Sequence, residues 1–425
     1  GYVLLLVLMA TQIRRFGKFT TPDFVGFRYE SDTARTLAAL ISIIISVIYC
    51  VAQFRGIALL VSWLFSIDYI PAAVVGTLLF VSHVTVSGAM GVVRNQKLQY
   101  FVLIITFILP LMLLTHKLGY FWILPQFGYG AAIGELQRQF NFNWSEPFGS
   151  TTLFEWLALC FTLMFGTAGL PHVLSRFYMV PGKRDARWGV VWGLFFIALI
   201  YWSAPAYGVL ARLFEARNGL SLNMTGTDAA DMIVLSAAGL GGLPLWAVGL
   251  LAAGGMSAAF SASAGLLMTG SASFSYDIYP RLLSPDATEQ DKVFAAKGVF
   301  LVLAAIVMAL TFQPLGMIAE IAAFAFAIAG NTIFPAFLLG IWWPRANAVG
   351  VISGMLTGLA ISFAPLLIGD KLPVISQIFP FTSSAFIGAP LVVIVMVCAS
   401  LLTAPPSSAI RIFISREVHD CPEEN

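Results

Sequence analysis

The chain of 425 residues is 59% hydrophobic and only 10% charged, with a net charge of +2. A soluble domain carries about 25% charge, and an ionised group at a bilayer centre costs at least about 2.5 kcal/mol, so the deficit excludes an ordinary soluble fold and points to a polytopic helical membrane protein. The small charge, with no basic run apart from membrane loops, excludes a nucleic-acid partner, and apolar runs that do not alternate exclude a β-barrel.

In chain order the apolar runs predict eleven spans, at 1–13 (a partial span), 37–66, 70–92, 97–116, 153–178, 188–211, 244–276, 292–312, 317–342, 346–369 and 384–404. Gly1 already stands inside an apolar run, which reads as a chain whose beginning is missing; no signal peptide is legible. In the second span, Arg55 lies about 27 Å along a helix begun near Leu37. There it reads as a side chain snorkelling to the interface or as an attractor for an anion. The segments 119–152 and 215–231 are long and polar enough to hold short interfacial helices or lids.

The fifth span carries "FGTAGLPHVLSRF", Phe165–Phe177. Pro171 lacks an N–H and crowds the carbonyl of Thr167, while Gly166 and Gly169 loosen the same turn. A break there frees backbone groups, which hydrocarbon tolerates only where they are buried in protein or line a cavity. Such discontinuous helices bind substrates and ions near the midplane of transporters; a kink used for packing is the alternative. His172 and Arg176 share a face. His172 reads as a structural hydrogen bond to freed backbone or as a proton relay or substrate contact. Arg176 is expected to snorkel.

The seventh span is serine-rich, "GGMSAAFSASAGLLMTGSASFSYDIY" from Gly254 to Tyr279. Most of its hydroxyls suit close helix packing and back-bonding. Ser257 and Ser261 share a face and, with carbonyls from a neighbouring broken helix, supply the neutral oxygens a releasable Na⁺ needs. Further on, Gly350, Gly354 and Gly358 form a packing ladder, and Asn331 reads as a path residue or a helix-to-helix hydrogen bond. Asp277 and Glu320 are expected at the interface. Cys50, Cys160, Cys398 and Cys421 have no metal-ligand spacing and read as packing residues.

Alternating sides from a cytoplasmic first loop places seventeen Lys and Arg inside and five outside, with Arg55 within a span, which accounts for all 23. This positive-inside bias predicts a multi-pass plasma-membrane protein with a cytoplasmic C-terminus and a tail over 405–425. HExxH, GxSxG and Walker A motifs are absent, which disfavours an enzyme.

Taken together, "FGKFTTPDFVGFRY" (Phe16–Tyr29), "GTAGLPHVLSRF", "SASAGLLMTGSASFSYDIY" and "FPAFLLGIWWPRANAVGVISGMLTG" resemble the sodium:solute symporter family. The nearest likeness is to its acetate and short-chain monocarboxylate branch. The resemblance implies an all-α, LeuT-like inverted five-helix repeat in one transmembrane domain over 1–425, truncated at its N-terminus. It also implies Na⁺ coupling without an organic cofactor, and alternating access. Aligned from Asp277, the family's cation ligands fall on Ala258 (carbonyl), Ser261 and Ala262, and Ser257 or Ser263 stands in for the hydroxyl missing at Ala262. The substrate or gating positions fall on Gly166, Thr167, Gly169, Pro171 and His172, and a family acidic position falls on Gln96. The family has one or two helices before the position of Gly1, so the chain reads as a fragment. The expected function is Na⁺-coupled symport of a small organic anion, acetate or a similar monocarboxylate. The alternatives are the membrane sensory domain of a symporter-like histidine kinase, against which the short acidic tail argues, or an inactive truncated relative.

Overall fold

The computed structural model describes residues 1–140, 151–178, 182–218, 226–313, 316–369 and 371–418. Cys421 and parts of the 119–152 and 215–231 segments lie outside the described residues.

The first expected span appears as two short helices, α1 (Tyr2–Leu8) and α2 (Ala10–Phe16), divided at Met9. The Trp342 indole donates to the Leu8 carbonyl at this division, at 2.9 Å. Next comes α3 (Thr21–Tyr29), whose N-terminal N–H of Asp23 is capped by the Thr20 hydroxyl. Then comes α4 (Asp32–Phe65), capped by Ser31. In α5 (Tyr69–Lys117) lie two spans, Tyr69–Ser87 and Arg94–Lys117. The Phe80 ring packs 5.6 Å from Phe260, while the Gln99 carbonyl accepts from Ser257, on the same turn of the partner helix. A straight helix would hold those α5 positions roughly 28 Å apart, so the chain doubles back between the two spans.

Helix α6 (Pro125–Phe140) fills part of the first long polar segment. The bent pair α7 (Leu153–Gly169) and α8 (Pro171–Tyr178) turns by 42° at Leu170. After α9 (Lys183–Asn218) come the short α10 (Gly226–Asp231) and α11 (Ile233–Leu240). Helix α12 (Leu245–Ala272) runs on into a wider π-helical turn over Ser273–Leu283. The remaining spans are α13 (Glu289–Thr311), α14 (Ile318–Asn331) with α15 (Ile333–Trp342), α16 (Ala348–Ile368) and α18 (Ala385–Leu402). The short α17 (Pro373–Ile378) and α19 (Ser408–Phe413) complete the chain. Among the described residues nine helices are long and apolar enough to cross a membrane, ten with the bent pair. The first expected span, 1–13, is not one continuous helix, and the span at 317–342 is interrupted at Thr332.

Exposed side chains such as Leu78, Trp192 and Phe294 form the apolar outer surface that lipid requires. Inside, α12 packs against α4 and α5, and α14 crosses α7. Small residues set these approaches. A Cβ on Gly254 would lie 2.1 Å from the Thr106 hydroxyl, and one on Gly166 would lie 2.5 Å from the Phe326 carbonyl. The Gly350–Gly358 ladder serves packing as expected: Gly350 and Gly354 meet Ser400 and Met396 of α18, and Gly358 meets the Asn331 carbonyl. Asn331 donates to Ser362 and Ser384 at 2.9 and 3.1 Å, the helix-to-helix bonding among its two expected roles. Of the cysteines, Cys50 is in the core, whereas Cys160 and Cys398 are exposed on the apolar surface.

Candidate functional site

The break at Leu170–Pro171 is present, but its glycines act differently from the expectation. Leu170 adopts an extended conformation (ψ 120°) and ends α7, and Pro171 opens α8. Gly166 and Gly169 lie against the α14 backbone: a Cβ on Gly169 would stand 2.4 Å from the Ala329 carbonyl. They permit helix contact where they were expected to loosen a turn. Thr167 donates its hydroxyl to the Leu163 carbonyl and packs against Gly1. The Pro171 carbonyl accepts from the Thr21 hydroxyl at 3.2 Å, which ties the bend to α3.

His172 and Arg176, one turn apart on α8, face a cavity of about 420 Å³ whose far wall is Ser261, Ala262 and Gly265 of α12. The His172 ring lies tilted against Tyr49, 5.9 Å between centroids, and its buried Nδ1 has no hydrogen-bond partner. The expected structural bond from this nitrogen to freed backbone is not made. Arg176 does not snorkel. Its Nη2 donates to the Gln96 Oε1 at 2.9 Å, and the guanidinium lies over Gly265, where a Cβ would be 3.3 Å away. Gln96 in turn donates from Nε2 to the Ser261 carbonyl at 2.9 Å. Among the described residues no carboxylate pairs with Arg176, so a partly buried positive charge borders the cavity.

The four cation candidates on α12 do not converge. Ser261 borders this cavity. Ala258 borders a second one of about 290 Å³, lined also by Gln53, Gly56, Thr106 and Asp231. Ser257 donates to the Gln99 carbonyl at 3.1 Å. Ser263 is fully buried on the α4 side beside Cys50, with its Oγ lacking a partner. Of the nine site residues expected from sequence, Ser261 and His172 meet across the first cavity. Gln96 and Arg176 join them there. Both drew attention in the sequence, one as a departure at a family acidic position and the other as a snorkelling residue, but nothing local tells that they bond to each other.

Arg176 and Gly265 also line a smaller cavity with Ser175 and Thr269. That one shares Thr20 and Ala272 with a larger opening bordered by Asp23, Arg35 and Arg281. The three cavities thus share walls one after another from the bend toward the Arg35 end of the bundle. The corner is set by Asp277, which was expected at the interface but is fully buried. Its carboxylate accepts from the Thr20 hydroxyl and from Arg35 Nε, each at 2.7 Å, and Arg35 also pairs with Asp23 at 2.9 Å. At the opposite end the second cavity is covered by α10. Arg55, 4% exposed, neither snorkels nor stands free to attract an anion: it pairs with Asp228 at 2.8 Å and Asp231 at 3.2 Å. Asp231 also accepts from the Ile318 N–H, which opens α14. Burial pushes the Asp231 carboxyl above its ordinary value.

Comparison with known proteins gives consistent matches. The model of the sodium:solute symporter family matches residues 1–358. An uncharacterized symporter of Cupriavidus necator is 25% identical, the match covering 95% of this chain and 80% of that protein. The uncharacterized symporter YwcA of Bacillus subtilis is 28% identical over 84% of this chain and 69% of its own length. Among solved structures, a substrate-bound outward-open state of a Na⁺-coupled sialic acid symporter, described as revealing a novel Na⁺ site, superposes with a TM-score of 0.74. Its identity is 18%, and the match covers 95% of this chain and 82% of that one. The bundle has the all-α, LeuT-like fold.

Proposed function

Because the chain belongs to the sodium:solute symporter family, we propose that it moves a small organic anion, acetate or a similar monocarboxylate, together with Na⁺ by alternating access. The observation that carries the anion is Arg176: a guanidinium facing a cavity at a broken helix, held by a neutral amide and by no carboxylate among the described residues. Leaving such a charge uncompensated in a low dielectric is costly, and a bound carboxylate removes that cost with a charge-assisted hydrogen bond. His172 and Ser261 add polar groups to the same wall. The Ser261 hydroxyl and carbonyl, on the wall of the first cavity, are the cation ligands in this reading, while Ala258, Ser257 and Ser263 stand on other faces of α12. Gly166 and Gly169 hold α7 against α14, and Pro171 makes the bend, so Gly166, Thr167, Gly169 and Pro171 shape the site without lining it.

The positive-inside bias assigns the Arg35 end to the cytoplasm. With that orientation, cavities sharing walls toward the Arg35 end and an ion-paired cluster at the Arg55 end fit an inward-facing state of a plasma-membrane carrier whose C-terminus is cytoplasmic.

The test is uptake by proteoliposomes of labelled acetate, pyruvate and proline, with an inward Na⁺ gradient, with a proton gradient and with neither. Carboxylates accumulate only with Na⁺ and proline does not. Ser261→Ala lowers the Na⁺ stimulation several-fold. Equal uptake under all three conditions refutes the coupling, and preference for proline refutes the anion.

A further inference from the structure

We propose that Gln96 is the residue through which the two cargoes sense each other: its side-chain amide turns between two positions and so links a cation at Ser261 to an anion at Arg176. The inference rests on the symport reading above and adds to it a coupling residue.

The orientation of the Gln96 amide is dictated by its partners. A guanidinium only donates and a main-chain carbonyl only accepts, so Oε1 must face Arg176 Nη2 and Nε2 must face the Ser261 carbonyl, as found at 2.9 Å each. In this position the amide partly blocks both sites. The Ser261 carbonyl is engaged by an N–H donor, whose positive end also repels an arriving cation. The nearest guanidinium N–H is engaged by Oε1. Both contacts border the same cavity, so each cargo reaches the amide from there.

A Na⁺ at the Ser261 carbonyl reverses the preference. Turning the amide brings Oε1 to the cation as a further oxygen ligand. It also brings Nε2 to face the guanidinium, donor against donor. That pair is stable only if an acceptor lies between them, and a carboxylate accepts from both. The cation thus creates a two-donor anion site, and the anion stabilises the amide position that ligates the cation. Linkage requires the effect to be reciprocal, and for two coupled sites about tenfold in affinity is a typical size. A carboxylate at position 96 would lack this property. It would hold Arg176 as an ion pair in either orientation and would have no N–H to offer an anion.

In this reading Gln96 contacts both cargoes, and its test separates binding from coupling. With the full chain in detergent, binding of labelled acetate, propionate and pyruvate is measured without and with saturating Na⁺. Na⁺ affinity is measured without and with the best of the three. The wild-type chain shows about a tenfold gain in each direction. Gln96→Met, of similar length and without the amide, still binds both cargoes, but the gain falls to near unity in both directions. Gln96→Glu loses carboxylate affinity at least tenfold while its Na⁺ affinity rises, an opposite pair of shifts that misfolding does not produce. A tenfold gain retained by Gln96→Met, or wild-type carboxylate affinity in Gln96→Glu, overturns the role of Gln96 and leaves the symport reading standing. If the wild-type chain binds no carboxylate, that reading falls, and this inference with it.

Discussion

At the scale of single residues, the cations of this chain divide by what their surroundings offer them. Arg28 of α3 is completely buried, and it donates to the carbonyls of Gly340, Trp343 and Ala346 at 2.6, 2.9 and 3.1 Å. These carbonyls belong to the end of α15 and the turn after it, where acceptors are left over and the helix dipole favours a cation. Burial lowers the Arg28 pKa, but the three bonds keep the guanidinium in place. Replacing Arg28 by Met takes a donor from each of these three carbonyls, of which Trp343 keeps the Ala346 N–H at 3.1 Å. The expected loss of stability is on the order of 3 kcal/mol, read as a fall in the thermal midpoint in detergent. Arg28→Lys rescues only part of it, because an ammonium cannot reproduce the planar fork. Arg176, by contrast, has one neutral partner and a cavity in front of it. Burial by itself does not distinguish an anchoring arginine from a recognising one; the number of acceptors does.

At the scale of elements, two interrupted helices cross at their interruptions. The bend between α7 and α8 lies beside the one between α14 and α15: a Cβ on Gly169 would stand 2.4 Å from the Ala329 carbonyl and 2.9 Å from the Phe334 nitrogen. The glycines and the proline of this motif therefore fail differently when changed. Gly169→Ala forces two backbones apart and costs roughly 1–3 kcal/mol, as overpacking does, so thermal stability falls. Pro171→Ala restores an N–H and lets α7 continue into α8. Stability is then preserved while transport falls several-fold. Equal thermal midpoints for Gly169→Ala and wild type would show that the crossing is looser than these distances imply. The fold-back within α5 was anticipated as two spans at 70–92 and 97–116, since the two apolar runs are separated by Arg94, Asn95, Gln96 and Lys97.

At the scale of the whole molecule, charge clusters close one end and shape the other. Arg55 joins α4 to α10 and, through Asp231, to the first turn of α14. Removing one partner of a buried pair costs on the order of 3 kcal/mol, because the other charge is left unpaired. Arg55→Gln is thus expected to loosen the lid over the second cavity. With the native cysteines replaced and Gln53→Cys as reporter, a membrane-impermeant thiol reagent should label the Arg55→Gln chain several times faster than the chain with Arg55. Unchanged labelling would mean that α10 is held by its apolar contacts alone. The Asp277–Thr20–Arg35 cluster does the converse at the other end, holding α3 against the π-helical turn beside a wide cavity.

What the sequence determined by itself was everything that depends on the solvent around the chain. A bilayer demands long apolar helices, so the spans after the first, the break at Pro171 and the family were all readable from local pattern. Hydrophobicity and proline sterics act over one or two turns, which is the range a pattern covers. What only the tertiary structure decided was the partner of each polar side chain. Gln96, Arg176 and Ser261 are separated by 80 residues or more along the chain and meet only because α5, α8 and α12 converge. Asp277 and Arg55 read as interfacial by position, yet both are buried, since partners from distant segments, Thr20 with Arg35 and Asp228 with Asp231, supply the charge and hydrogen bonds that water would otherwise provide.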